Sequence, residues 1–550
     1  MEPRAQSASA AAAMKPPAIA RRAPESGAKL QRRLFSGMRW SFWLAAAAVP
    51  FSLGTRILLA RAGPEILGTF GLLGVYTSLA TVFLYLGGDA VVMAFLPRLA
   101  APQQRQFLRS YSGIVALALV PWLVLATLHP EWLRGLFGQR TDPRLDLMLI
   151  WLAPLVIVYM LILAALNGLL EIAFAQGLNR ALPIFSFFIY AWLCWQAPAW
   201  LRQHTLLGIG GVYLGLLLPS AALGLARLRR HLPAAPPGRH LPAGFWPYTL
   251  SLQSNSILNF FANRFDLLLV LRAGGLSALG EYVALKSLAQ TLRKSFQMLL
   301  DSLFPSLAHT LGTNDGESTR QVLETYTRLL YPMAMLSATL VLCFAHPLLW
   351  LLGRPYLGLM RVLPWAVVCA SMQAPNAIHG LLFNASGRAQ RALAGTALQA
   401  AAFIGSFWPL WQHWGLAGAV AAWGLGEWAY YLTSYFLLRN LRSISLSALG
   451  NPGVYFTVIA LTALWSAHAG RIEWQQGVLL WLAGGAVYFG WAGYRGAEFK
   501  RLGRLMWPGP HLRRGPGGAS QPGLSTHGTG GDLGHHPDQE PAAGVMRNAV

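Results

Sequence analysis

The sequence predicts an all-α protein that crosses a membrane about fourteen times. Of its 550 residues, 55% are hydrophobic and only 11% are charged, whereas a typical soluble domain has about 25% charged residues. The mean hydropathy is +0.43. Apolar runs of about 20 residues recur along the chain, and each is long enough to span the hydrocarbon core of a bilayer. These runs lack the alternation of barrel strands, so the spanning elements are helices.

Polar or turn-rich segments separate the apolar runs and divide the chain. The cores of spans 1 to 14 are 40–60, 66–88, 111–128, 147–166, 182–198, 206–226, 248–271, 277–305, 329–352, 362–384, 392–411, 415–438, 453–469 and 477–494. The predicted regions are a disordered basic extension (1–38), a first lobe of spans 1–6 (39–226), a linker (227–245), a second lobe of spans 7–12 (246–440), spans 13–14 (441–495) and a disordered tail (496–550).

The net charge of +23 follows the predicted topology rather than a nucleic-acid site. With the N-terminus in the cytoplasm, the cytoplasmic loops and tails carry 29 of the 43 Lys and Arg residues. The opposite loops, with Arg56 at the outer end of span 1, carry 10, and the other four lie inside spans 7 and 8. This bias follows the positive-inside rule. It predicts that both termini and the linker lie in the cytoplasm.

The cysteines and histidines predict neither a disulfide framework nor a metal site. Cys194, Cys343 and Cys369 are scattered through apolar spans, without the spacing of a zinc motif. His535 and His536 adjoin each other in the Gly/Pro-rich tail, where solvated histidines are the simpler interpretation. We therefore predict no metal and no cofactor.

Two distant segments of the chain resemble one another. Leu67-Gly68-Thr69-Phe70 and a later Phe95-Leu96-Pro97 match Leu279-Gly280-Glu281-Tyr282 and a later Leu303-Phe304-Pro305. The offset is six spans, an even number, so both halves have the same orientation. The repeat predicts two parallel lobes, and transporters built from such repeats bind substrate between them.

Spans 7 and 8 each carry a polar stripe at helical spacing. In span 7 the stripe is Ser251, Asn255, Asn259, Asn263 and Asp266, with Arg264 beside its end; in span 8 it is Lys286, Gln290, Arg293, Gln297 and Asp301, with Lys294 adjoining. Residues three and four apart share one helix face. A charge at the bilayer centre costs about 2.5–3.5 kcal/mol, so these stripes predict a cavity or charged partners. The excess of basic residues favours an anionic substrate.

Two structural alternatives remain open for these stripes. Span 8 has the pattern of a basic amphipathic helix lying in the membrane interface. Arg264 and Asp266 also fit a structural charge cluster near a helix end. Because Asp266 does not face Arg264 directly, its partner is expected on span 8.

The first lobe and span 12 supply further polar candidates. Thr77, Thr81, Tyr85 and Asp89 recur every four residues on span 2, and Arg56 lies near the outer end of span 1. Glu427 in span 12 and His379 in span 10 are lone ionisable residues. Asp89 and Glu427 are candidates for proton or sodium coupling. Asp89 also fits a carboxylate at the cytoplasmic interface, an interhelical hydrogen bond explains Glu427 and His379 equally well, and the hydroxyls of span 2 fit packing against neighbouring helices.

These motifs resemble the polysaccharide flippases of the multidrug/oligosaccharidyl-lipid/polysaccharide exporter superfamily. The similar segments run from Thr55-Arg56-Ile57-Leu58 through Gly68 into Phe70-Gly71-Leu72, and again from Asp266-Leu267-Leu268-Leu269 to Leu303-Phe304-Pro305. Gly387-Arg388-Ala389 and Gly415-Leu416-Ala417-Gly418-Ala419 resemble the family's loops around spans 10 to 12. The resemblance covers about residues 35–495.

The resemblance implies that an undecaprenyl-pyrophosphate-linked oligosaccharide crosses the bacterial inner membrane by alternating access. Polysaccharide polymerases and glycosyltransferases are the implied protein partners. The pyrophosphate and sugar acids would meet the basic groups in the cavity, and the prenyl tail would stay in lipid. The expected anion-attracting residues are Arg56, Arg264, Lys286, Arg293 and Lys294. The expected polar cavity residues are Asn255, Asn259, Asn263, Asp266, Gln290 and Gln297.

Three rival functions remain. An ion-coupled multidrug exporter of the same fold should concentrate carboxylates in the first lobe, where only Asp89 and Glu171 qualify. A lipid II flippase differs only in its substrate. A membrane glycosyltransferase would need a large acidic outer loop, but the first outer loop is only about residues 61–65, and no nucleotide-binding or nucleophile motif occurs. We therefore predict a transporter and not an enzyme.

Overall fold

The protein, described here from a computed structural model, is a bundle of helices. The described residues are 44, 47–131, 143–169, 171–232, 238, 240–312, 316–385, 389–439, 459–464, 466, 479, 481 and 482. Within the helices, side chains are left undescribed at 98, 101, 143–147, 291–299, 301–312, 316–320, 324–326, 328–329, 332, 384–385, 389 and 439. The predicted disordered ends, His535 and His536, and most of spans 13 and 14 lie outside the described residues.

Within the described parts of 47–439, sixteen α-helices are assigned. In the first lobe they are α1 (47–62), α2 (Pro64–Leu84), α3 (Gly88–Phe95), α4 (Ala101–Leu128), α5 (Pro143–Gly168), α6 (Ile172–Gln196), α7 (Pro198–Gln203) and α8 (Thr205–His231). In the second lobe they are α9 (Phe245–Asn263), α10 (Phe265–Gly312), α11 (Gly316–Cys343), α12 (Ala345–Leu352), α13 (Leu363–Ser371), α14 (Gln373–Ala385), α15 (Ala389–Trp414) and α16 (Leu416–Arg439).

The prediction of an all-α polytopic membrane protein is confirmed. Among the described residues, eight helical stretches are long and apolar enough to cross a bilayer. A ninth counts if Met333–Cys343 and Ala345–Leu352, which meet at 65°, form one span. No strand occurs in the described part of the chain. The full count of fourteen spans and the lobe boundaries stay predictions.

Span 2 is broken near its end rather than continuous to residue 88. α2 ends at Leu84, and the backbone passes through positive φ at Leu86 (44°) and Gly87 (82°) before α3 begins. The Tyr111 hydroxyl of α4 donates to the carbonyls of Tyr85 at 2.8 Å and Leu86 at 3.1 Å. A break within a membrane requires such partners, because lipid offers none to a freed carbonyl.

Span 7 is also broken, which corrects the expectation of one helix to residue 271. α9 ends at Asn263, Arg264 lies between the helices, and α10 begins at Phe265. The Lys286 ammonium donates to the Asn263 carbonyl at 2.9 Å, so it satisfies an orphan acceptor at the end of α9. α10 bends again at Gly275, where φ is 75°.

The repeated segments meet where α2 crosses α10. A Cβ on Gly68 would lie 2.2 Å from the Leu276 carbonyl oxygen, and a Cβ on Gly280 would lie 1.9 Å from the Pro64 carbonyl oxygen. The Leu276 carbonyl lies four residues before Gly280, and the Pro64 carbonyl lies four residues before Gly68. Each glycine therefore packs against the other repeat in the same way. Absence of a side chain lets two membrane helices approach at their backbones. The repeat therefore marks a close contact between backbones of the two lobes.

The lobes also meet near the other end of α2. The Gly87 amide donates to Gln253 Oε1 of α9 at 2.8 Å, and Gln253 Nε2 donates to the Val82 carbonyl. The Phe245 ring contacts Phe107 edge to face, with centroids 6.2 Å apart. The middle of α2 thus lies between two contacts that join the lobes.

Candidate functional site

A cavity of about 260 Å³ opens between the lobes at the middle of α2. The first lobe lines it with Arg56, Phe70, Gly71, Leu73, Gly74, Thr77 and Tyr213, and the second lobe with Arg264, Leu267, Val283, Lys286, Ser287 and Gln290. The cavity reaches the break between α9 and α10. Discontinuous helices of this kind bring backbone polar groups and charges to transporter binding sites.

Two arginines face this cavity without a counter-charge among the described side chains. Arg56 on α1 is half-buried, and Arg264 in the α9–α10 break is exposed. Their positive charges act on one another. Neither side chain has an ion pair or hydrogen bond with any described residue. Because a guanidinium has five N–H donors in a fixed fork, this pair offers many unused donors to an anion.

Lys286 lies in the same cavity, but its charge is already paired. The buried ammonium bonds to Asp266 Oδ2 and donates to the Asn263 carbonyl. The Tyr282 hydroxyl donates to the same Asp266 oxygen at 2.8 Å. The expectation that the partner of Asp266 lies on span 8 is confirmed. Arg56, Arg264 and Lys286 against Asp266 leave the described cavity with a net positive charge.

Aromatic rings complete the surroundings of Lys286. Its ammonium lies 5.9 Å from the centroid of Tyr282 and 5.7 Å from that of Trp423. Both distances are within the range of a cation–π contact. The burial of Tyr282–Ala289 inside the bundle does not fit the alternative of a helix lying in the membrane interface.

The polar stripe of span 7 turns away from this cavity. Asn255, Asn259 and Asn263 are not among the lining residues, and Asp266 lies behind Lys286. Asn259 is exposed, and Asn263 Nδ2 donates to its side-chain oxygen at 3.2 Å. The helix break after Asn263 separates this face from Asp266. Of the predicted polar residues, Gln290 lines the cavity.

The side chains of Arg293, Lys294 and Gln297 lie outside the described residues, as does that of Asp301. Their helix, α10, continues through these positions. Their roles in anion attraction and cavity lining stay predictions.

The two coupling candidates lie on helices of different lobes, Asp89 on α3 and Glu427 on α16. Asp89 is half-buried in the first turn of α3, beside Tyr85. Glu427 of α16 is buried, with 2% of its surface exposed. Its carboxylate accepts hydrogen bonds from Asn376 Nδ2 at 2.8 Å, Gln373 Nε2 at 3.1 Å and Trp423 Nε1 at 3.1 Å.

Trp423 links this carboxylate to the cavity. Its indole N–H bonds to Glu427, and its ring faces the Lys286 ammonium. Sequence reasoning missed Trp423, Tyr282, Gln373 and Asn376. The spacing of Gln373 and Asn376, three residues apart in an apolar span that also holds His379, was the available signal. Tryptophan and tyrosine give no such signal, because they are enriched near membrane–water interfaces whether or not they lie at a site.

Comparison with solved structures identifies the fold. The lipid II flippase MurJ, in an inward closed conformation, aligns with a TM-score of 0.57 and 13% identity over 83% of this chain and 99% of its own. A multidrug resistance MATE family transporter in an inward-facing conformation aligns at 0.55 and 14% identity over 74% and 98%. The multidrug transporter DinF-BH aligns at 0.52 and 15% identity over 77% and 98%.

The chain has the fold of the MOP-superfamily transporters. No family model matches the sequence, and no curated protein matches it. At these identities the likeness establishes the fold alone, so substrate and mechanism must come from the cavity.

Proposed function

We propose that the chain is a flippase that moves an undecaprenyl-pyrophosphate-linked oligosaccharide between the leaflets of the bacterial inner membrane, with both termini in the cytoplasm. The observation that carries this proposal is the positive cavity between the lobes, with Arg56 and Arg264 unpaired within the described residues. Positive charge in a low-dielectric cleft concentrates anions. Paired guanidinium groups suit the oxygens of a pyrophosphate.

The rival substrates differ in charge. A multidrug exporter for cationic compounds would place a cation against Arg56 and Arg264, which is electrostatically unfavourable. A lipid II flippase carries the same prenyl pyrophosphate, so this cavity supports it equally and the two differ only in the glycan. Asp89 and Glu427 are the proposed groups for proton or sodium coupling. Polysaccharide polymerases and glycosyltransferases are the proposed partners that supply and use the lipid-linked glycan.

Replacing the two arginines tests the proposal in cells. In a bacterium that depends on this chain for its surface polysaccharide, Arg56→Gln and Arg264→Gln should reduce the polysaccharide and let the lipid-linked precursor accumulate. Removing each charge-assisted hydrogen bond should weaken binding by about 1.5–3 kcal/mol. Arg→Lys should restore only part of the activity, because an ammonium lacks the guanidinium fork.

Arg109→Gln is the matched control, because Arg109 is exposed on α4 and does not line the cavity. At equal membrane abundance, this variant should leave the amounts of surface polysaccharide and of lipid-linked precursor unchanged. Normal polysaccharide export by the Arg56→Gln, Arg264→Gln double variant would contradict the proposal.

A further inference from the structure

The ion pair between Lys286 and Asp266 is incomplete on both sides. An ammonium has three donors, and two of those on Lys286 are used by Asp266 Oδ2 and the Asn263 carbonyl. Asp266 receives both of its hydrogen bonds, from Lys286 and Tyr282, on Oδ2. Its Oδ1 atom is buried and has no hydrogen-bond partner among the described residues.

This arrangement makes Asp266 a weak counter-ion in a positive cavity. A buried carboxylate oxygen without a partner keeps its desolvation cost uncompensated. Lys286 also lines the cavity beside Arg264, whose positive charge acts on it. A pyrophosphate carries more charge and more acceptor oxygens than a carboxylate. It is therefore the stronger partner for a group that already faces the cavity.

We propose that Asp266 is a tethered competitor, which occupies Lys286 in the empty cavity and yields it to the pyrophosphate of the substrate. This inference rests on the proposed function and deepens it, because it assigns Asp266 a role in setting affinity and release. When the substrate binds, Lys286 bonds to the pyrophosphate and Asp266 keeps its bond from the Tyr282 hydroxyl. When the substrate leaves, Asp266 takes Lys286 back. Asp266 thus weakens binding and speeds release, and it acts as a positioning residue.

The competition predicts opposite effects for two variants at the same ion pair. Asp266→Asn removes the competing charge, so an anion should bind more tightly, by about tenfold to a hundredfold for one charge-assisted hydrogen bond. Tyr282→Phe removes the only other donor to Asp266 among the described residues, so the carboxylate holds Lys286 more strongly and the anion should bind more weakly. A purely structural role for the pair predicts loss of binding in both variants.

Farnesyl pyrophosphate is a suitable probe, with farnesyl monophosphate and farnesol as its less charged analogues. Affinity and ligand-induced thermal stabilisation would be measured on the full chain in lipid nanodiscs. The matched control is Glu171→Gln, which neutralises a carboxylate that pairs with Arg227 at 3.0 Å and does not line the cavity. Its affinities should equal those of the wild type.

The outcomes separate this inference from the proposed function. Tighter binding by Asp266→Asn together with weaker binding by Tyr282→Phe supports the competitor. Unchanged or weaker binding of farnesyl pyrophosphate by a folded Asp266→Asn variant overturns the competitor role, even if the wild type binds farnesyl pyrophosphate more tightly than farnesol. If Asp266→Asn does not fold, unchanged or tighter binding by Tyr282→Phe overturns it. Equal binding of farnesyl pyrophosphate and farnesol by the wild type contradicts the proposed function itself.

Discussion

At the scale of single residues, the second lobe holds its buried charges through specific hydrogen-bond partners. Glu427 accepts hydrogen bonds from two side-chain amides and an indole, and Lys286 contacts a carboxylate, a carbonyl and two rings. A buried charge that loses a partner is costly, because neither lipid nor packed side chains replace it. These residues therefore make the second lobe sensitive to isosteric changes.

Glu427→Gln tests this description of the carboxylate. The new amide group would point an N–H at one of the three donors, and the mismatch should cost about 1–3 kcal/mol of stability. Thermal unfolding in detergent should show a lowered midpoint, whereas Glu65→Gln, at an exposed position, should change it little. Unfolding of Glu427→Gln identical to that of the wild type would mean that Glu427 is not an ionised acceptor of these bonds.

At the scale of helices, the glycine crossing and the Gln253 bridge join the lobes on either side of the cavity. Alternating access requires that contacts of this kind separate in turn. The crossing depends on two backbones in contact. The bridge depends on one hydrogen bond from Gln253 to α2 and on one that Gln253 accepts from the turn after α2. These two contacts should therefore respond to different substitutions.

Gly68→Ala should favour states that are open at the Pro64 end of α2. The added Cβ would lie 2.2 Å from the Leu276 carbonyl, against the 3.4 Å or more of ordinary contact, so the helices must separate. Spin labels at Glu65 and Arg272, both exposed, should show a longer distance distribution in nanodiscs. Gly280→Ala should act alike because the contact is reciprocal.

Gly405→Ala is the matched control, because a Cβ there meets nothing within 4 Å. Gln253→Leu should loosen the contact between the lobes at the opposite end of α2. It should leave the distance distribution between the labels at Glu65 and Arg272 unbroadened. A short distance retained in Gly68→Ala would contradict the role of the crossing.

The helix breaks are the feature of the fold that the sequence did not predict. Span positions were predictable because hydropathy depends on local composition. The break at Arg264 was not predictable, because it depends on a residue far along the chain. Lys286, 23 residues from Asn263, donates a hydrogen bond to the free Asn263 carbonyl. Periodicity placed Asp266 on the stripe of span 7, since a continuous helix was assumed. The charged residues of the candidate site could be identified from the sequence, because a charge inside a membrane span is costly unless it faces a cavity or a partner.

At the scale of the whole molecule, three described cations from two lobes line the cavity, and the Asp266 carboxylate lies behind one of them, Lys286. Of these, Arg56 comes from the first lobe and Arg264 from the second. Motion of the lobes therefore changes the distance between two like charges, and an anion between them offsets their repulsion. An anionic substrate would thus stabilise the states in which the arginines are close.

Flipping of a labelled lipid in proteoliposomes tests the central claim most directly. A fluorescent prenyl-pyrophosphate-linked oligosaccharide would be distributed over both leaflets, and a membrane-impermeant quencher added outside. With the wild-type chain, quenching should go beyond the outer-leaflet pool, because lipid from the inner leaflet reaches the outside. With the Arg56→Gln, Arg264→Gln double variant, quenching should stop at the outer-leaflet pool, as it does in vesicles without protein. Equal quenching by this variant, or wild-type vesicles that transport a cationic dye and leave the lipid in place, would contradict the account.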